Sequence, residues 1–245
     1  MSDIKENNAD FLNDYAGDGL NEIKMDDLNI PFLRIIQKLS PQIDETSSDY
    51  IEHAKVGMFF NTITKKLYGM EINLVPFKYQ KVWIEWKPNR GGFVASHKPD
   101  SIPVDQSDFS EWKYNNNIIQ ETLLFYVIIA DHPEEGPLVF ALSSTGIKHG
   151  KTWNNLITNT RLPNGDRAPI YASVWNIQSV LCSNEQGSWY QIGSKSAAIK
   201  RVGFINKELF TTCVQPLRKE IANKTVDLKQ LENSSNKEDL DTVPY

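Results

Sequence analysis

Residues 121–131 read ETLLFYVIIAD, and from Leu123 to Ala130 no charged or amide side chain interrupts the run. Successive side chains on a β-strand point to opposite faces, so a strand apolar at every position must be covered on both. Any fold that holds this segment has to place it in the middle of a sheet with a layer on each side. HPEEGP then turns the chain into LVFALSS, which completes a hairpin. A second strand signal, MEINLVPFKYQKVWIEWKP at 70–88, is much longer and carries Pro76 inside it. Alternation breaks at that proline. This predicts a bulge or bend of the kind a strongly curved barrel strand needs.

The remaining segments fill in around these two. VGMFFNTIT reads as a strand, KKLYG and NRGGF as turns, and 98–117 as a polar loop. GKTWNNLITNTRLPNG reads as a short helix and turn, and APIYASVWNIQSVLCS pairs with GSWYQIGSKS through NEQG. RVGFINKELFTTCVQPLRKEIAN reads as a terminal helix. Near the start, KMDDLNIPFLRIIQKLSPQ places Phe32, Ile35, Ile36 and Leu39 at helical spacing, with Asp26 or Asp27 as cap and Pro31 in the first turn. A helix is therefore expected near 27–40, ended by Pro41. The expected class is β-rich α+β, an OB-like barrel core with flanking helices and a disordered acidic C-terminal tail. Residues 1–50 form an acidic arm, 51–222 the core and 223–245 the tail.

A net charge of −5 conceals a partition. Residues 1–52 balance to −8, 53–222 to +5 and 223–245 to −2. A basic middle between acidic ends suits a core that binds a polyanion. No apolar run approaches the length of a membrane span, and the polar start MSDIKENNADFLNDY does not read as a secretory signal. Cys182 and Cys213 form no CxxC, and His53, His97, His132 and His149 form no HxH or HxxxH pair, so no metal site or other cofactor is expected.

Catalytic motifs are weak throughout. GIKHGKT at 146–152 follows a strand and precedes a helix, but Gly146 and Gly150 enclose three residues where a phosphate loop needs four. A metal-dependent nuclease would use Glu71, Glu85 and Lys87, with two carboxylates on one cation and the lysine steadying the attacking water. No GxSxG elbow supports nucleophilic catalysis. A non-enzymatic binder is the better reading. KYQKVWIEWKPNRGG supplies Tyr79, Lys81, Trp83, Trp86, Lys87 and Arg90, and the loop after LVFALSS supplies Lys148, Lys151 and Trp153. Cations that track phosphates beside rings that stack bases are what single-strand binders use. Tyr79, Lys81, Trp83 and Glu85 fall on one strand face, continuing from Ile72 and Leu74 unless the bend shifts the register. Trp86 falls on the other face, so one of Trp83 and Trp86 is expected at the ligand and the other in the core. For Trp153 the competing role is that of a core anchor.

The chain ends KEDLDTVPY. This resembles the acidic tip of bacterial single-stranded DNA-binding proteins, which close on aspartates, an aliphatic residue, proline and phenylalanine. Asp239 and Asp241 match the acids, Val243 the aliphatic, Pro244 the proline and Tyr245 the terminal aromatic. DDLNIPFLRIIQKLSPQ, YIEHAKVGMFFNTIT and YQKVWIEWKP are together similar to phage proteins encoded among replication and recombination functions. The resemblance implies a protein of the infected host's cytoplasm that coats single-stranded DNA in replication or recombination. It also implies a tip that recruits replication or recombination enzymes. A homo-oligomer is expected, and a strand-annealing recombination protein is the alternative within nucleic-acid biology.

Overall fold

The structure is a computed structural model that describes residues 29–107, 111–185, 187–193 and 199–221. Among these, eleven strands join one sheet. Its spine is β4 (Glu71–Trp86) against β7 (Asn117–Ile129), antiparallel over twelve residue pairs. From β7 the sheet runs through β8 (Leu138–Ser143) to β1 (Phe32–Ile35), β2 (Phe59–Asn61) and β3 (Leu67–Gly69). In the other direction it runs from β4 to β9 (Ser173–Asn184) and β10 (Gly187–Ile192). β5 (Phe93–His97) extends β4, β6 (Trp112–Tyr114) extends β7, and β11 (Ile199–Phe204) pairs with β9. The sheet curls into a half-barrel.

As its composition requires, β7 is covered on both faces. Leu123, Phe125, Val127 and Ile129 join one core with α1 (Ile147–Asn159), whose Trp153 is fully buried and stacks on Phe125 at 4.5 Å. Gly150 lets this helix lie close, since a Cβ there would meet Leu123 at 2.7 Å. Ile118, Leu124, Tyr126 and Ile128 join the opposite core. That second core is covered by a helical stretch running from α2 (Lys207–Leu209) through a π-helical turn (Phe210–Val214) into α3 (Gln215–Ile221). Pro216 accounts for the wide turn, because its ring lacks an N–H and clashes with the carbonyl four residues back.

The bend in β4 falls where Pro76 predicts it. Pro76 pairs with Val127 and Lys78 with the next residue, Tyr126, which leaves Phe77 as the extra residue of a bulge. The insertion reverses the parity of the strand. Ile72 and Leu74 therefore share a face with Tyr79, Lys81, Trp83 and Glu85 because the register shifts, whereas the sequence reading made an unshifted register the condition.

Four local expectations are corrected. The segment expected as a helix near 27–40 holds strand β1, at least over its described part. Phe32 lies in one core and Leu33 in the other, while Leu39 is half exposed, so apolar side chains serve two sheet faces and not one helical stripe. Pro41 opens a short 3-10 turn, Pro41–Ile43, and ends no helix. KKLYG contributes β3, and RVGFINKELF begins with β11 before any helix forms. The loop at 98–117 contains β6. Residues 223–245, with the expected tip, lie outside the described residues.

A side chain draws the two limbs of the curl together. Gln37, just past β1, donates from Nε2 to the Tyr190 carbonyl at 2.8 Å and accepts from the Tyr190 N–H at 2.9 Å. It makes the pair of bonds a neighbouring strand would make. Lys38 adds a bond from Nζ to Ser188 Oγ at 2.5 Å. Gly57 completes the contact: with φ at +90°, it leaves space that the Tyr190 ring occupies, 2.6 Å from where a Cβ would stand. Replacing Gln37 with alanine removes both bonds, at about 1–3 kcal/mol in total. Urea unfolding should show that loss, and hydrogen exchange should show faster exchange at the Tyr190 amide than at amides in the β4–β7 ladder.

Candidate nucleic-acid interface

The residues named from sequence divide between two faces of the sheet. On the face covered by α1, Tyr79 packs its ring on Phe125 at 5.2 Å and stays partly exposed. Burial pushes its phenol up, against a bond from Asn154 of α1 that lowers it, so it is neutral. Lys81 Nζ meets Glu121 Oε1 at 2.5 Å, and Lys151 Nζ lies 3.7 Å from Glu121 Oε2. The fold thus brings together Tyr79, Lys81 and Lys151 from segments far apart in sequence, but around a carboxylate that repels phosphate. Lys148 is exposed in the first turn of α1.

Both β4 tryptophans are buried, and of the two Trp86 borders the cleft described below. Trp83 is 5 % exposed and meets Trp112 edge-on at 6.1 Å. Trp86 is 3 % exposed and meets Phe93 edge-on at 6.2 Å. Both are packed, because β5 and β6 extend the sheet and their aromatic residues cover the two faces of the β4 end. Trp153 is the core anchor and offers no face to a base. The GIKHGKT residues also read differently in place: a 3-10 turn, Ser144–Gly146, leads straight into α1, so Lys148 to Thr152 are helical and form no phosphate-cradling loop.

The nuclease constellation does not assemble. Glu71 starts β4 and accepts bonds from Asn176 and Gln178. Glu85 lies at the far end of β4, on the order of 40 Å away at the usual strand rise. It is buried, with His97 Nε2 and Asn117 Nδ2 each 2.6 Å from its oxygens. Lys87 follows, exposed. Among the described residues no group of three or more His, Cys, Asp or Glu could hold a metal ion.

A cleft of about 260 Å³ opens between the limbs of the curl, beside the Gln37 clasp. Arg34 of β1, Trp86 at the end of β4 and Arg90 beyond it, Ser143 at the end of β8 with Ser144 to Gly146 beyond it, and Trp189 to Ile192 of β10 form its wall. Among the described residues no lining residue is acidic, and two are arginines. Trp86 donates from Nε1 to Gln120 Oε1 at 3.2 Å, and Gln120 Nε2 in turn donates to Ser144 Oγ at 2.8 Å. This chain fixes one wall to the opposite lip. Both lips hold non-glycine residues in the left-handed region, Asn89 and Arg90 at φ +54° and +52° and Ser144 at +45°. Such conformations cost energy and persist only where surroundings impose them.

Trp86 and Arg90 are thus the sequence-named residues that reach the cleft, with Lys87 between them on the same turn. Sequence reasoning missed Arg34, which it assigned to a helix, and Trp189 and Tyr190, which it assigned only to a hairpin. The adjacent aromatics in GSWYQ carry the same alternating-face signal as KVWIEW and could have been read the same way.

A family model described as Pam3 phage gp34-like protein matches residues 3–226. No curated protein and no solved structure matches the chain.

His149, at the start of α1, provides a test of how the helix is seated. It is buried, and burial, followed by the neighbouring Lys148 charge, lowers its pKa below the ordinary 6.5. Below that value the unfolded chain takes up a proton that the folded chain refuses, so stability falls as pH drops through 6.5 and is unaffected by this group above it. His149→Gln removes the titration. The stability gap between the native chain and this variant, measured by urea unfolding, should narrow between pH 7.5 and 5.5.

Proposed function

The chain belongs to the Pam3 phage gp34-like family, and for this phage protein we propose single-stranded DNA binding through the cleft between β8 and β10. The observation that carries the reading is the cleft's lining, which among the described residues has two arginines, several aromatic rings and no acid. Arg34 and Arg90 would meet backbone phosphates, and the apolar walls would take bases. Duplex DNA is too wide for a cleft of this volume, so the reading is specific to single strands. A curled sheet with a helix between strands is also the setting in which OB-like barrels bind oligonucleotides, and we read the half-barrel in that sense. The face bearing Tyr79, Lys81 and Lys151 is assigned a lesser part, because Glu121 sits at its centre. Lys87 and Lys148, both exposed, would add long-range attraction near the lips. Binding would be sequence-independent and non-catalytic. Asp239, Asp241, Val243, Pro244 and Tyr245 would recruit a replication or recombination enzyme, as the resemblance of the tip suggests.

The reading is tested by titrating labelled oligo-dT and a duplex of equal length at low and high salt. Tighter binding of the single strand, weakened by salt, is expected. Arg90→Ala and Arg34→Ala should each weaken binding about tenfold, as loss of a charge-assisted bond does. Each should also reduce the slope of log affinity against log salt by about 0.7. Equal binding of duplex, or no binding at low salt, would overturn it.

A further inference from the structure

Among the described residues, eight buried side-chain polar atoms have no hydrogen-bond partner, and three of them belong to residues that line the cleft. These are Thr122 Oγ1, Trp189 Nε1 and Gln191 Oε1. Thr122 is 2 % exposed and Gln191 8 % exposed, so neither side chain as a whole turns to solvent for a partner. Buried polar groups are normally paired, because an unpaired one forfeits its bond to water and gains nothing. Elsewhere near the cleft this rule is kept: Trp86, Gln120 and Ser144 satisfy one another.

The three atoms are chemically complementary as a set. An indole N–H only donates, the free Gln191 oxygen only accepts, and a threonine hydroxyl does either. The other end of the Gln191 amide is already engaged: Nε2 donates to Cys182 Sγ at 3.2 Å, while that thiol is directed to the Val180 carbonyl at 3.9 Å, which leaves the Gln191 oxygen as the unpaired end. Trp189 and Gln191 are two apart on β10 and therefore share a strand face.

We propose that the cleft contains a subsite for one unstacked nucleobase, whose edge pairs with Trp189, Gln191 and Thr122. Every nucleobase carries a donor and an acceptor side by side on its pairing edge, so one donor, one acceptor and one hydroxyl receive any of the four. A phosphate offers acceptors only and would leave the Gln191 oxygen unpaired, so the group recognised here is a base and not the backbone. Arg34 and Arg90 remain the phosphate contacts. The subsite rests on the single-stranded DNA reading above.

The experiment separates the two. Fluorescence anisotropy compares labelled oligo-dT with an abasic oligonucleotide of the same length and charge. The native chain should bind oligo-dT at least about fivefold tighter, at the low end of what one held base contributes. Trp189→Phe, which keeps an aromatic ring and removes the N–H, and Gln191→Leu should lower oligo-dT affinity severalfold and leave abasic affinity unchanged. Thr122→Val removes an unpaired hydroxyl at nearly constant volume. It should do the same while raising the melting midpoint of the free protein by about 2–4 °C. Equal native affinity for the two probes overturns the subsite and leaves the single-strand reading intact. Equal loss on both probes in the variants also overturns the subsite, as a purely structural effect. Failure of the native chain to bind either probe overturns both.

Discussion

The pairing of β4 with β7 is the constraint on which the rest of the structure depends. Twelve consecutive partners, broken once by the bulge at Phe77, fix the register of the two longest strands. Because β7 is apolar on both faces, this ladder cannot exist without a layer on each side. One layer is α1 with Trp153 and the other is the α2–α3 stretch with Val214 and Ile221. The curl follows from the same ladder. A bulge increases local twist, and with it β8 and β1 are carried round toward β10. The cleft is the gap that remains between those limbs.

Much of this was legible in the residues, and the reasons for the misses are specific. The strands β4, β7 and β8, the β9–β10 hairpin and α1 follow from periodicity and turn residues, and Pro76 marks the bulge directly. β1 was misread because FLRIIQKL is apolar on adjacent positions. A short run of that kind fits one stripe of a helix or two faces of a strand, and only the partners decide. Here the partners are β2 and β8, at least twenty-four residues away in sequence. The burial of both β4 tryptophans was not legible for a related reason. Alternation says which face Trp83 and Trp86 occupy, but burial depends on β5 and β6, which arise from segments read as turn and loop.

The candidate site shows the same division. Arg90 and Trp86 could be named from a local cluster of basic and aromatic residues. Arg34, Gln120, Ser144 and Trp189 come from four other segments and carry no shared motif; the curl of the sheet unites them. The absence of acid among the described residues of the cleft is likewise a property of assembly. The chain is acidic overall, and Glu121 on β7 points to the α1 side while its neighbours Gln120 and Thr122 line the cleft. Strand alternation thus sorts charge between faces.

The clasp at Gln37 bears on how a polymer could reach the cleft. Exposed single strands in a gap or at a fork have no free end, so a fully hydrogen-bonded ring of strands would have to be threaded. The limbs meet there through side chains, the two Gln37 bonds to the Tyr190 backbone, the Lys38–Ser188 bond and the Tyr190 ring on Gly57, and none of these belongs to the ladder of β4 and β7. On the proposed single-strand reading, this side of the cleft would serve as a latch through which a continuous strand enters sideways.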